Sequence, residues 1–197
     1  APQRGRGRPG GLDRCARENR HLNPTQPFTH YEQNARVVFR DGFYCTEDSV
    51  LVGEIRIGID SNIWYGSVLR GDDASITIGR GTNLQDMTMV HPDPGKPLVI
   101  GDDVTIGHRA LIHCLLVGSR SLIGMGAILM EDVVIGEESL VAAGAVVSPG
   151  TVVPPRSLVR GVPGRVVRET TDQERLAIVN ASKKYVANAI EFHARYL

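Results

Sequence analysis

Of the six histidines in the chain, three stand close together in sequence: His91, His108 and His113. A neutral imidazole presents one ring nitrogen as a ligand for zinc, iron or cobalt. Three of them with an open fourth position make a catalytic rather than a closed structural site. An ion held that way lowers the pKa of a bound water to about 7 and so supplies hydroxide near neutral pH. A lone histidine has another use, as the general base of an acyl transfer. Which chemistry is open to these residues depends on whether the fold brings them together.

The sequence around them repeats every six residues. From Ile100 it divides as IGDDVT, IGHRAL, IHCLL (one residue short), VGSRSL, IGMGAI, LMEDVV, IGEESL, VAAGAV, VSPGTV and VPPRSL. The same spacing links Ile57, Ile63 and Leu69, then Ile78, Leu84 and Val90. A helix would repeat near 3.6 and an ordinary strand near 2, so neither explains a sustained period of six. A parallel β-helix does: each unit makes a short strand and a turn, and three units make a triangular coil of about 18 residues. The stretch from about Val50 to about Gly164 accommodates roughly six coils. The aliphatic leader points inward, and the small residue after it, often Gly, permits the tight corner. Two steps break the period. Leu69 to Ile78 leaves room for a bulge around Arg70–Asp73, and Val90 to Ile100 contains the excursion His91–Pro97.

The phase of the repeat then places the histidines. His91 follows the leader Val90, and His113 follows Ile112 three units later, so the two stack on one edge about 4.8 Å apart. His108 is the third residue of its unit, on the preceding side of the triangle. It cannot reach the same ion within one chain, but around a three-fold axis it meets a neighbour's pair. The spacing therefore predicts a metal site between the subunits of a homotrimer. Cys114, adjacent to His113, points the opposite way, into the core.

The remaining segments are plainer. Thr171 to Glu174 reads as a capping box, and Leu176, Val179, Val186, Ile190, His193 and Leu197 follow at helical spacing, predicting an amphipathic helix over 172–197 on the outside of the coils. The expected organisation is a disordered Arg/Gly-rich tail over 1–27, the β-helix over 28–168 and the helical appendage over 169–197. Lys plus Arg and Asp plus Glu each number 22, which argues against nucleic-acid binding by electrostatics. Three scattered cysteines argue against a disulfide framework and favour a reducing compartment, the cytoplasm. The chain has no apolar run that spans a bilayer. An organelle-targeting remnant fits the tail poorly, given Asp13 and Glu18 among its Gly and Pro residues.

The segments IWYGSVLRGD (63–72), TNLQDMTMVH (82–91), IGHRALIH (106–113) and GMGAILM (124–130) resemble the gamma-class carbonic anhydrase family, in particular the branch without an extended acidic loop. The likeness covers about residues 43–168. It implies an all-β solenoid, a left-handed parallel β-helix of hexapeptide repeats with a C-terminal α-helix, and the left hand comes from the resemblance alone. It implies a homotrimer with one divalent metal per subunit interface, zinc first and iron or cobalt next, held by His91, His108 and His113. By the same resemblance Arg70 and Asp86 pair across the interface and Asp72 joins that network. Gln85 hydrogen-bonds the metal's water, with Asn83 in the same segment. Asp73 occupies the place of a glutamate near the site, and Tyr185 matches an aromatic of the C-terminal helix that reaches it. The implied reaction is reversible hydration of carbon dioxide to bicarbonate, a lyase activity. It would be weak here, because the loop after His91 carries only Asp93 where the best-studied branch has an acidic proton-shuttle loop. Two other readings stand: an acyl-CoA-dependent hexapeptide acyltransferase, whose kin share VPPRSLVRGVPGRVVR (153–168), and a non-catalytic metal-binding trimeric scaffold.

Overall fold

A computed structural model describes residues 36–195. The tail expected over 1–27 and the first residues of the 28–168 segment lie outside the described residues, as does Leu197. From Phe43 onward the chain winds into a left-handed β-helix of about six coils, with a helix at its C-terminal end.

One face of the triangle carries β2 (Phe43–Thr46), β4 (Asn62–Ile63), β6 (Asn83–Leu84), β9 (Thr105–Ile106), β12 (Leu122–Ile123), β15 (Leu140–Val141) and β18 (Ser157–Arg160), all in parallel register. The second face carries β7 (Met89–Val90), β10 (Leu111–Ile112), β13 (Ile128–Leu129) and β16 (Val146–Val147). The third carries β8 (Leu98–Ile100), β11 (Leu116–Val117), β14 (Val134–Ile135) and β17 (Val152–Val153). Every coil turns its leaders inward; Leu69, Leu84, Val90, Ile106 and Ile112 are wholly buried. Each such side chain contributes roughly 1.5–3 kcal/mol of burial free energy, and stacking repeats that gain from coil to coil.

One expectation holds and one needs correction. The bulge expected around Arg70–Asp73 lies inside one long strand, β5 (Val68–Ile78), which runs round the corner between the second and third faces and pairs with β3 (Val50–Ile57) beneath it. The register shifts after Gly53–Gly71 and resumes at Ile55–Ile76, so residues 72–75 bulge opposite Glu54. The glycine after a leader does not serve the turn. Gly107 and Gly124 have ordinary φ, but a Cβ on Gly107 would sit 2.7 Å from Met125 N, and one on Gly124 2.4 Å from Ala143 N. The glycine lets adjacent coils touch, while the left-handed residue of the corner comes two places later, as Met87 (φ 61°) or Arg109 (φ 59°). The ends of the solenoid are also closed by strands that the six-residue period does not show. β1 (Val37–Arg40) pairs antiparallel with β2, and β19 (Arg165–Glu169) pairs antiparallel with β18.

The helix α1 spans Asp172–Ala194 and begins at the expected capping box, Thr171 with Glu174. It lies along the first face, where Ser182 Oγ donates to Gly81 O at 2.7 Å. Trp64 stands edge-on to Tyr185 and Phe192, with ring centroids 5.6 and 5.5 Å away. The apolar stripe read from spacing is only part of the docking face: Leu176 is 62% and Ile190 48% exposed, Val179, Val186 and His193 are half-buried, and Ile178, Ser182 and Ala189 are buried. Ser182 and Ala189 let the helix approach the flat sheet closely, and Ile178 is the large aliphatic buried beside them.

Candidate metal centre

Strand register sorts the polar residues into two columns. Leu69 pairs with Val90, Val90 with Ile112, and Ile112 with Leu129, so the residues that follow them, Arg70, His91, His113 and Met130, climb one edge of the solenoid in successive coils. On the first face Ile63, Leu84, Ile106 and Ile123 pair in the same way. The residues two places after them, Tyr65, Asp86, His108 and Met125, climb the preceding corner. His91 and His113 stack with ring centroids 5.5 Å apart and planes 24° from parallel. His108 belongs to the other column and stands over Asp86, with Nδ1 2.6 Å from Asp86 Oδ2.

Hydrogen bonds orient the rings of His113 and His108. His113 Nδ1 makes a short contact with the carbonyl oxygen of His91. A carbonyl only accepts, so Nδ1 carries a hydrogen, and in the neutral ring Nε2 offers its lone pair. At His108 the Asp86 carboxylate does the same for Nδ1, the carboxylate–histidine pairing that orients metal ligands. His91 Nε2 lies 2.8 Å from an Arg70 guanidinium nitrogen, a pure donor, and 3.1 Å from Asp73 Oδ2. Imidazole nitrogens with oriented tautomers suit a divalent transition ion. Ligand atoms of Asp72, Asp73 and His91 all lie within 4.8 Å of one another, a further candidate set of donors.

The other residues singled out in sequence divide between the columns. Arg70 pairs with Asp72 at 3.0 Å and Asp73 at 3.8 Å within the chain. Desolvation acts to raise the Asp72 carboxyl; its own backbone N–H and the Arg70 guanidinium outweigh this and hold it below the usual carboxylate range. Gln85 is buried, lines the groove beside Gly107 and His108, and donates from Nε2 to Asn83 Oδ1 at 3.3 Å. Asn83 in turn donates to Thr105 Oγ1 at 2.9 Å. Tyr185 is half-buried on Trp64, and burial, then the charge of Asp86, push its phenol up. Cys114 points into the core, and burial pushes its thiol up to about 12.

Spacing did not reveal the apolar borders of the two columns. Met130 stands one coil above His113, and Met125, 59% exposed, one coil above His108. A groove of about 330 Å³ lined by Met89, His91, Leu111, His113 and Met130 runs along one column. Another of about 360 Å³, lined by Gln85, His108, Leu122, Met125 and Ala181, runs along the other. Register counting from the leaders would have found both methionines. Nothing in the repeat indicates the contact of Asp93 Oδ1 with His113 Nε2, at 2.8 Å.

Residues 116–158 match the family described as bacterial transferase hexapeptide (six repeats). The chain is 51% identical over 138 residues to a probable carbonic anhydrase of Methanocaldococcus jannaschii, covering 70% of this chain and 87% of that one. It is 38% identical over 180 residues to gamma carbonic anhydrase 2, mitochondrial, of Arabidopsis thaliana, covering 88% of this chain and 64% of that protein. The chain thus spans just under two thirds of the plant relative's length. Among solved structures, a hexapeptide transferase family protein from Anaplasma phagocytophilum superposes with a TM-score of 0.69 at 34% identity, covering 81% of this chain and 99% of that one. The N-acyltransferase AntD of Bacillus cereus, at 18% identity and a TM-score of 0.58, shares the fold alone. Among the described residues no helix is long and apolar enough to cross a membrane.

Proposed function

The chain belongs to the gamma-class carbonic anhydrase family, and from that premise we propose that it hydrates carbon dioxide reversibly at a metal site shared between the subunits of a homotrimer. The observation that carries this reading is the pair of columns: two imidazoles stacked on one edge and a third, oriented by a carboxylate, on the preceding corner. A parallel three-fold arrangement of equal coils sets His108 of one subunit level with His113 of the next. Asp86 then stands level with His91, one coil above Arg70, within reach of a long guanidinium. The apolar grooves beside both columns support the same face-to-face packing.

His91 and His113, with His108 of the partner subunit, would hold a divalent ion, which would supply Lewis acidity and a bound water of pKa about 7. Zinc is the first choice for three imidazoles, and iron or cobalt also suits them. Gln85 spends an N–H on Asn83 and keeps its carbonyl oxygen to accept from the reacting water, an orientation that an uncharged amide holds without reprotonating it. Asn83, tied to Thr105, holds that amide in place. Asp73, beside His91 Nε2, would accept from the same water. The raised Tyr185 phenol stays neutral and closes the site from the helix side. Arg70 and Asp72 anchor the subunit contact, with Asp86 as the partner charge. Two buried free cysteines, Cys45 and Cys114, fit a reducing compartment, and we place the chain in the cytoplasm.

Anaerobic purification with metal analysis and stopped-flow hydration tests the reading. Expected are about one ion per chain, its loss in His108→Ala, and hydration above the buffer rate. A trimer that binds no metal, or one whose metal is indifferent to His108, sinks it. A second reading, acyl transfer, draws on the solved transferase relative; thiol release from acetyl-CoA that requires His108 but no metal would favour it. Bound metal without hydration at any pH would leave a metal-binding scaffold.

A further inference from the structure

We propose that Asp93 is a fourth protein ligand to the same ion, so that the position left open for water is contested by a carboxylate of the chain itself. The inference rests on the three-histidine reading above. His113 Nδ1 faces the His91 carbonyl oxygen and therefore carries the ring hydrogen, which leaves a lone pair on Nε2. Asp93 Oδ1 stands 2.8 Å from that lone pair. A lone pair and a carboxylate oxygen repel at that distance unless a cation lies between them, either a proton or a metal ion. Two ligand atoms that each lie about 2.0–2.1 Å from one tetrahedral ion are about 3.3 Å apart. Opening the contact by about half an ångström thus converts it into a pair of metal bonds.

The loop is built to hold that carboxylate in place. Asp93 sits between Pro92 and Pro94, which restrict the backbone on both sides. Lys96 N–H donates to Asp93 O at 3.0 Å, and Gly95 N–H donates to Asp73 O at 3.2 Å, which ties the turn to the coil below. Lys96 Nζ lies 3.5 Å from Asp93 Oδ2 and 2.6 Å from Asp132 Oδ1. One carboxylate oxygen is thereby engaged by the lysine while the other faces His113. The segment read in sequence as a shortened loop lacking a proton shuttle becomes a ligand arm.

The test uses the full trimer loaded with cobalt(II), comparing wild type, Asp93→Asn, Asp93→Ala and His108→Ala. Chelator competition should show cobalt held about tenfold or more less tightly when Asp93 is replaced. The visible spectrum of bound cobalt should change in both Asp93 variants. Thiocyanate should perturb the cobalt spectrum of Asp93→Ala at lower concentrations than wild type requires, because in the variant no carboxylate competes for the open position. With the carboxylate gone, hydration should quicken. Equal affinity and an identical spectrum in wild type and both Asp93 variants, with cobalt lost from His108→Ala, would overturn the ligand role and leave the histidine site standing. Slower hydration with an unchanged spectrum would make Asp93 a proton acceptor instead and also overturn it. Wild type that takes up no cobalt overturns the histidine reading and this inference with it.

Discussion

At the scale of single residues, the buried amides separate support from chemistry. Asn83 is fully buried and joins Gln85 to Thr105. Asn83→Ala should therefore cost about 1–3 kcal/mol of stability by leaving both partners unsatisfied, with metal content unchanged; denaturant unfolding and metal analysis on the same samples check it. The thiol of Cys114, pushed up to about 12 by burial, should resist alkylation in the folded chain and react once it is denatured, as peptide mass mapping would show. The histidine positions were legible in sequence because each stands at a fixed offset from an aliphatic leader. The Asp93–His113 contact was not legible, since Pro92–Pro97 lies outside the repeat and its conformation depends on the coil beneath.

At the scale of elements, the period of six exposes whatever must recur in each coil and hides whatever occurs once. Leaders such as Ile106 and Ile123 recur, so the coils were readable. The antiparallel strands β1 and β19 each occur once, at an end, and carry no period. Part of the docking face of α1 was missed for a different reason: it buries Ser182 and Ala189, which a search for large apolar residues passes over. Two predictions belong here. Gly124→Ala forces a Cβ to 2.4 Å from backbone and should destabilise the solenoid by about 1–3 kcal/mol, measurable as a lowered Tm. At the start of α1, Arg168 first and the Thr171 backbone N–H next hold the Glu174 carboxyl down to about 2, against about 4.3 for the unfolded chain. A depressed carboxylate contributes stability that is full above the unfolded pKa and is lost as pH falls through the folded one. Glu174→Gln should flatten the dependence of Tm on pH between about 4.5 and 2 and cost about 1 kcal/mol at neutral pH.

At the scale of the whole molecule, exposed side chains point toward assembly. Met87 and Met125 are 61% and 59% exposed, Leu111 lines the histidine groove, and the charges of Arg70 and Asp86 sit on different columns. If the subunits pack as proposed, Arg70→Glu or Asp86→Arg alone should weaken the trimer. The double reversal should recover it, with a coupling of about 0.5–3 kcal/mol; sedimentation equilibrium on the four proteins reads this directly.

His91 and His113 come from adjacent rungs joined by hydrogen bonds such as His91 N–H to Ile112 O at 3.1 Å. An ion gripping both rings as proposed would be a rivet across that seam, seated only while the rungs remain zipped. Binding and local opening therefore draw on one free energy, and the seam gains RT ln(1 + [L]/Kd) when the ion is present. The amide hydrogens of β7 and β10 should then exchange with solvent more slowly in loaded protein than in stripped protein, while those of distant β17 exchange at an unaltered pace.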